Sequence, residues 1–269
     1  MSIHPTAVID KKAELDTTVH VGPYAVIEEG VRIGADTKVM AHAVVSGPTT
    51  IGERNLVGSF ATVGGAPQDL SYKGEPTELI IGNDNQIREY ASIHRGTPGG
   101  HGKTVIGNNN LLMAYIHVAH DCHLGDHVIM ANVATLAGHV EVGSNASIGG
   151  LVAIHQFCRI GCYSYIGGVS GIGRDVPPYV IIAGTRNGTR ISGINKIGLK
   201  RNGFSRETIN KLESAYRIIF RSPHLLIKDA LELAKREITD CPEVDWLVKF
   251  FEDSKRGVVL RTVEEVNGV

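Results

Sequence analysis

The chain has 269 residues, too many for one average domain and too few to demand two large ones, so a big domain with a smaller appendage is expected. Glycine supplies 32 of them, proline only 10, and aromatics 6%, which points to many tight turns around a small-aliphatic interior. A net charge of −1 excludes any overall drive toward nucleic acid or a membrane surface.

The first residues, MSIHPTAVID, lack the charged segment and apolar run of a secretory leader, and no uncharged apolar stretch approaches about 18 residues. A cytoplasmic protein without a transmembrane segment is expected. From Ile3 an aliphatic residue returns every six positions without a slip to Val63, then at Ile81, Ile87 and Ile93, and again from Ile106 to Ile172. Six matches neither the 3.6 of a helix nor the 2 of a strand, so each unit is a short strand plus a turn that aims one aliphatic side chain inward. Three units close a triangular coil of 18 residues, and coils stack at the strand spacing of roughly 4.8 Å. Glycine follows the aliphatic residue at Gly34, Gly52, Gly82, Gly107, Gly125, Gly143 and Gly161, where it is expected to tolerate a tight corner or a positive φ. The period resembles that of the hexapeptide-repeat acyltransferases. That resemblance implies a mainly β fold, a left-handed parallel β-helix, whose hand nothing in the spacing supplies.

Two stretches interrupt the repeat. GGAPQDLSYKGEPTEL (64 to 79) and HRGTPGGHGKT (94 to 104) are rich in glycine, proline and polar residues and are expected to loop out of the wall, where binding residues usually lie. The repeat ends near Asp175-Val176-Pro177-Pro178, and the expected division is a β-helix over 1 to 190 and a small helical C-terminal domain over 191 to 269. In the second part Ser205 reads as the N-cap of a helix to about Phe220, with Leu212, Ala215, Tyr216 and Ile219 on one face; further amphipathic segments cover about 225 to 238 and 243 to 254. Residues 190 to 228 hold nine Lys and Arg against only Glu207 and Glu213, whereas residues 1 to 189 hold twelve against sixteen acidic residues. This basic stretch reads either as a surface for an anionic partner or as a plain solvated face. Cys122, Cys158, Cys162 and Cys241 form no CxxC pair, so reduced thiols and no zinc cage are expected.

Six of the twelve histidines fall between 117 and 155. Residues one coil apart stack, so His120, Gly138 and Gln156 form one column, Asp121 and His139 the neighbouring one, with His117 and His155 beside them. A histidine near neutral pKa takes a proton from a sugar hydroxyl if its tautomer is fixed, by Asp121 or by a nearby carbonyl. His120 is read as general base. Gly138, with no side chain in front of its N–H, is read as the donor to an oxyanion formed at an attacked thioester. The plainer reading makes His123 and His127 surface residues and Gly138 a turn glycine. Histidines on such a scaffold also hold zinc in hexapeptide-repeat carbonic anhydrases, and the spacing alone does not exclude this.

The ordered segments APQDLSYKGEP, IHRGT, NLLM, HVAHDC, TLAGHV, VAIHQFC, DVPPYV and GLKRNGFS resemble the UDP-N-acetylglucosamine acyltransferases, the first enzymes of lipid A synthesis, over nearly the whole chain. The resemblance implies transfer of a 3-hydroxyacyl chain from acyl carrier protein to the 3-hydroxyl of UDP-N-acetylglucosamine, with no cofactor and no metal. It makes His120 the catalytic base, oriented by Asp121, and Gly138 the oxyanion donor. Asp69, His117, His139, His155, Gln156, Asn195 and Arg201 become ligands of the nucleotide sugar. Gly168 becomes the acyl-chain ruler, its open floor favouring a long chain. The family's homotrimer, with sites between subunits, is implied as well, and the basic stretch 190 to 228 becomes the landing surface for the acidic carrier protein. Ser71, Ile197 and Asn202 depart from the family pattern, at a usual Lys, Glu and Arg. They leave room for a 3-amino sugar as acceptor. A later N-acyltransferase of the same pathway is a further alternative, although such enzymes usually carry an extra N-terminal uridine-binding domain and the repeats here begin at Ile3.

Overall fold

In the computed structural model, which describes residues 2–184 and 188–260, the six-residue period winds into the expected coil. Among the described residues, 28 short strands form three sheets of 11, 9 and 8 strands, the faces of a three-sided prism. The chain visits them in turn: Ser2–Ile3 lies on the first face, Val8–Ile9 on the second, Glu14–Leu15 on the third, and His20–Val21 pairs in parallel with Ser2–Ile3 again. Each coil donates its N–H groups to the next, as Val26 N does to Ala43 O at 2.9 Å. Successive coils are offset by 18 residues until the insertions stretch the step, placing Leu56 opposite Gln86 and Gln86 opposite Leu111. Strands Thr62–Gly65 and Glu78–Ile81 bound a loop over 66 to 77, and Ser92–His94 and Lys103–Ile106 bound one over 95 to 102. Both loops are shorter than the sequence implies because their ends join the sheets.

The aliphatic anchors fill the prism. Val21, Val39, Val57, Ile87, Leu112 and Met130 form one column with no exposed surface, each worth ~1.5–3 kcal/mol of burial for the larger side chains. Ile3, with no coil below it, stays 42% exposed.

The glycines that follow the anchors serve close approach between coils, not a positive φ. A Cβ on Gly125 would sit 2.8 Å from the Ser144 backbone nitrogen, and one on Gly107 would sit 2.7 Å from the Gly125 carbonyl oxygen. The left-handed backbone falls two positions later, on residues that carry side chains: Asp36 at φ 56°, Asp121 at 59°, His139 at 61°, even β-branched Val133 at 65°. Each costs about 1 kcal/mol or more, and stacking of the side chains so projected offsets it. On the corner between the first and second faces, Tyr24, His42, Phe60, Tyr90 and Tyr115 stack with centroids 4.8–5.1 Å apart, and exposed Val133, Leu151 and Val169 continue the stripe.

A second column was not visible in the periodicity. Thr37, Asn55, Asn85 and Asn110 are buried inside the prism, and each Asn side-chain oxygen accepts the N–H of the next coil. Asn55 Oδ1 takes Asn85 N at 2.9 Å, Asn85 Oδ1 takes Asn110 N at 2.9 Å, and Asn110 Oδ1 takes Val128 N at 2.6 Å. The ladder crosses both insertions and holds the walls in register there.

Beyond the repeat, Val180–Ala183 and Arg190–Ile194 form an antiparallel hairpin on the first face, a closing strand that the apolar spacing did not announce. Helices α1 (Lys196–Arg201), α2 (Arg206–Arg221), α3 (Ile227–Glu237) and α4 (Pro242–Glu252) follow. Ser205 caps α2 by accepting Thr208 N at 3.0 Å. Residues 253 to 259 then run back along the prism, where Val258 pairs with Asp175. Residues 261–269, the end of the expected helical domain, lie outside the described residues. Replacing Asn85 with alanine leaves the Asn110 N–H unpaired in the interior and takes from the Gly107 carbonyl the donor it has in Asn85 Nδ2. A loss of roughly 2–3 kcal/mol in urea unfolding is expected.

Candidate active site

Strand His117–Val118 ends on the second face, and the chain turns the corner through His120 and left-handed Asp121 into His123–Leu124 on the third face. The next two coils repeat the turn, so Val118 pairs with Leu136 and Leu136 with Ile154, and His120, Gly138 and Gln156 follow one another up the same corner. Asp121, His139 and Phe157 form the parallel column, His139 stacked on Phe157 at 4.5 Å. Gly138 has no space for a side chain: a Cβ there would meet His120 Cε1 at 2.6 Å and Nε2 at 2.8 Å. Both loops leave the wall from this corner, one and two coils below.

Asp121 is the buried hub, 2% exposed. Its carboxylate accepts from Thr97 N at 3.0 Å, Thr97 Oγ1 at 2.6 Å, His101 N at 2.8 Å and His120 Nδ1 at 2.8 Å. Burial opposes its ionisation, but the hydrogen bonds from Thr97 and His120 prevail and hold its pKa below the usual carboxylate value. Gly100 packs so closely on this carboxylate that no Cβ fits. A carboxylate only accepts, so its bond assigns the His120 proton to Nδ1 and leaves the Nε2 lone pair facing outward. The Gly138 N–H has no hydrogen bond among the described residues. The coil leaves the amide at this repeat position over elsewhere too, at Ala41 and Ser59; at Gly138 the His120 ring fills the space that a Cβ would take.

The other expected ligands distribute unevenly. His139 crosses His120 edge-on at 5.1 Å, and desolvation pushes its pKa down. His117, on the second face, hydrogen-bonds Ser92 Oγ at 3.2 Å, and its pKa is likewise lowered by burial. Asp69, in the 66–77 loop, is held by Ser71 through N and Oγ, both at 2.7 Å, and its carboxylate feels both His120 and His139. Ser71 thus anchors Asp69, while Lys73 Nζ turns away to Leu70 O at 3.0 Å. Exposed His155 and Gln156 sit one coil above Gly138. Asn195, Arg201 and Gly168 are not brought to this corner. Asn195 caps α1 and donates to Tyr163 O at 2.9 Å on the corner between the third and first faces; Arg201 is exposed at the end of α1; and Gly168 lies on the corner of the aromatic stripe.

Sequence reasoning missed Thr97, His101, Phe157 and Arg256. The inserted loops offset Thr97 and His101 from Asp121 by distances that no multiple of the coil predicts. Phe157 carries the signal that was available, one coil above His139. Beside the corner opens a cleft of about 740 Å³ lined by His101, His139, Phe157, Arg159 and Arg256 among others. His101, Asp121 and His139 bring metal-ligand atoms within 4.8 Å of one another. The donors already on Asp121 mean that a cation there has to displace Thr97, His101 or His120.

Comparison with known proteins decides the family. The profile described as "Udp N-acetylglucosamine O-acyltransferase; Domain 2" matches residues 175–259, and the bacterial transferase hexapeptide profile matches 30–65 and 103–138. An acyl-[acyl-carrier-protein]--UDP-N-acetylglucosamine O-acyltransferase of Halorhodospira halophila is 50% identical over 96% of this chain and 98% of its own length. The chain belongs to the UDP-N-acetylglucosamine O-acyltransferase family. The enzyme of that name from Thermodesulfovibrio yellowstonii is 52% identical over 95% of this chain and 98% of its own. Among solved structures, LpxA from Acinetobacter baumannii superposes with a TM-score of 0.92 at 48% identity, covering 96% of this chain and 99% of that one. The fold is therefore mainly β, a left-handed parallel β-helix carrying C-terminal helices, as in other members of the O-acyltransferase family. No helix of the described residues is long and apolar enough to cross a membrane. The comparisons lend nothing to the zinc carbonic anhydrase reading.

His94 adds a consequence for pH. It is 7% exposed, lies edge-on to His117 at 5.0 Å, and its Nδ1 has no hydrogen-bond partner. Burial lowers its pKa from 6.5 to about 4. The folded chain therefore resists a proton that the unfolded chain accepts, so stability present above pH 6.5 is lost as pH falls toward 4. The loss is on the order of 3 kcal/mol. Denaturant melts across this range are expected to show a shallower pH slope in His94→Leu; an unchanged slope would exclude His94 as its source.

Proposed function

We propose that the chain transfers a 3-hydroxyacyl group from acyl carrier protein to the 3-hydroxyl of UDP-N-acetylglucosamine, the first step of lipid A biosynthesis, in the manner its relatives' names describe. The observation that carries the reading is the His120 ring, tied to Asp121 through Nδ1 at 2.8 Å and packed into the space that a Gly138 Cβ would take. His120 Nε2 removes the sugar hydroxyl proton as the oxygen attacks the thioester carbonyl. The new C–O bond turns the carbonyl oxygen into an oxyanion that the Gly138 N–H receives. Collapse breaks the C–S bond, and the imidazolium, stabilised by Asp121, returns its proton to the departing thiolate. No covalent enzyme intermediate and no metal enters.

In this reading Asp69, His117, His139, His155, Gln156, Asn195 and Arg201 bind the nucleotide sugar, and Gly168 sets the acyl length. Asn195, Arg201 and Gly168 stand on other corners of the prism than His120, so the complete site forms between copies in a homotrimer. The exposed aromatic and aliphatic stripe, and Leu70 at 98% exposure on the loop that carries Asp69, supply surface for such contacts. Lys200, Arg201 and Arg206 have no ion pair among the described residues, whereas Lys196, Lys211, Arg217 and Lys228 lie within 4 Å of glutamates. Those three cations form the docking surface for the acidic carrier protein. Cytoplasmic residence follows from the location of that donor.

The test incubates the purified chain with UDP-N-acetylglucosamine, or its 3-amino analogue, and a series of 3-hydroxyacyl carrier proteins, identifying products by mass. His120→Ala is expected to lower kcat by roughly 10²–10⁴-fold, and full retention of rate sinks the mechanism. A Cβ on Gly168 meets Gly150 O at 3.2 Å and N at 3.7 Å, so Gly168→Met requires the Gly150 backbone to give by a few tenths of an ångström; it should shorten the preferred chain in competition assays.

A further inference from the structure

The C-terminal strap reaches the candidate site. Residues 254 to 259 are bound to the prism through Asp175: Ser254 Oγ donates to Asp175 Oδ2 at 2.7 Å, Asp175 N to Gly257 O at 3.0 Å, and Val259 N to Asp175 O at 2.8 Å. Asp175 is itself fully buried and accepts Arg159 N at 2.8 Å, so the strap has a rigid base. From it Arg256 extends a fork. Its Nε donates to Gly173 O at 3.0 Å, and its Nη2 meets His155 Nδ1 at 2.8 Å.

A guanidinium has only donors, so the ring nitrogen it meets at this distance has to present a lone pair. The Gln156 carbonyl oxygen, 3.2 Å from the same nitrogen, competes for the opposite tautomer, but over a longer contact and against an arginine fixed at a second point. We infer that Arg256 is a positioning residue that sets His155 as the Nε2–H tautomer, making it a fixed hydrogen-bond donor to an acceptor oxygen of the nucleotide sugar. The inference rests on the proposed function for the identity of the ligand, though the tautomer does not. His120 and His155, two coils apart on one corner, then face substrate with opposite polarity. The carboxylate behind His120 leaves Nε2 a base; the guanidinium behind His155 makes Nε2 a donor.

The test uses the full-length enzyme labelled with ¹⁵N-histidine and long-range ¹H–¹⁵N correlation, with His155→Gln identifying the His155 signals. The expected wild-type spectrum has the His155 proton on Nε2. Arg256→Ala is expected to give mixed tautomers and to raise KM for UDP-N-acetylglucosamine roughly tenfold with kcat little changed, because the lost interaction is a ground-state contact. Arg256→Lys, which can still donate to Nδ1, recovers most of both. The strap keeps its three bonds to Asp175 in either variant. A His155 proton on Nδ1 in the wild type overturns the proposal. So does an Arg256→Ala effect on KM that persists undiminished in the His155→Gln background, since Arg256 then acts other than through His155. Absence of any acyl product from the wild type strikes the proposed function instead and leaves the tautomer measurement standing.

Discussion

Everything in this molecule depends on the parallel hydrogen bonds between coils. A two-residue strand cannot stand alone, and it is stable here because each one is bonded above and below and hides an aliphatic anchor from water. Stability of this kind is shared between neighbours, so a defect in one coil is felt mainly by the next. The Asn55, Asn85 and Asn110 ladder sits where that arrangement is most exposed to error, at the two insertions. The Asn55 and Asn85 amides bind backbone through both oxygen and nitrogen, whereas Asn110 uses its oxygen alone, and all three displace apolar volume from the core.

The same stacking manufactures the candidate site. At many corners the coil-to-coil ladder passes over an amide and places a left-handed residue beside it, and at Glu53, Asn83, Asn108 and Asp126 a side-chain oxygen from the next coil takes that amide instead. Chemistry arises where the residues change. At one corner the left-handed position holds Asp121, its neighbour is His120, and the coil above offers a glycine that leaves the imidazole in contact with bare backbone. The 95–102 loop then closes over the carboxylate with Thr97 and His101 and excludes water from it. Rigid repeat supplies position, and loops supply environment.

The repeat was legible because six-residue spacing has one economical solution, and coil arithmetic carried His120, Gly138 and Gln156 onto one corner. It failed wherever the arithmetic was broken or a side chain acted across sequence. The glycines after the anchors were read for φ, when crowding between coils is their reason. Thr97, His101 and Arg256 reach the site through insertions or through the returning strap, and no period encodes those paths. Asn195, Arg201 and Gly168 came from family resemblance, and one chain alone does not gather them with His120.

The strap also orders events in time. A stacked coil is able to form as soon as it leaves the ribosome, since its partners are the coils already made. The hydrogen bond from Arg256 to His155 waits for almost the last stretch of the described chain. A nascent prism would therefore display its histidine corner with His155 still free to exchange its ring proton, until nearly the whole described chain has been translated.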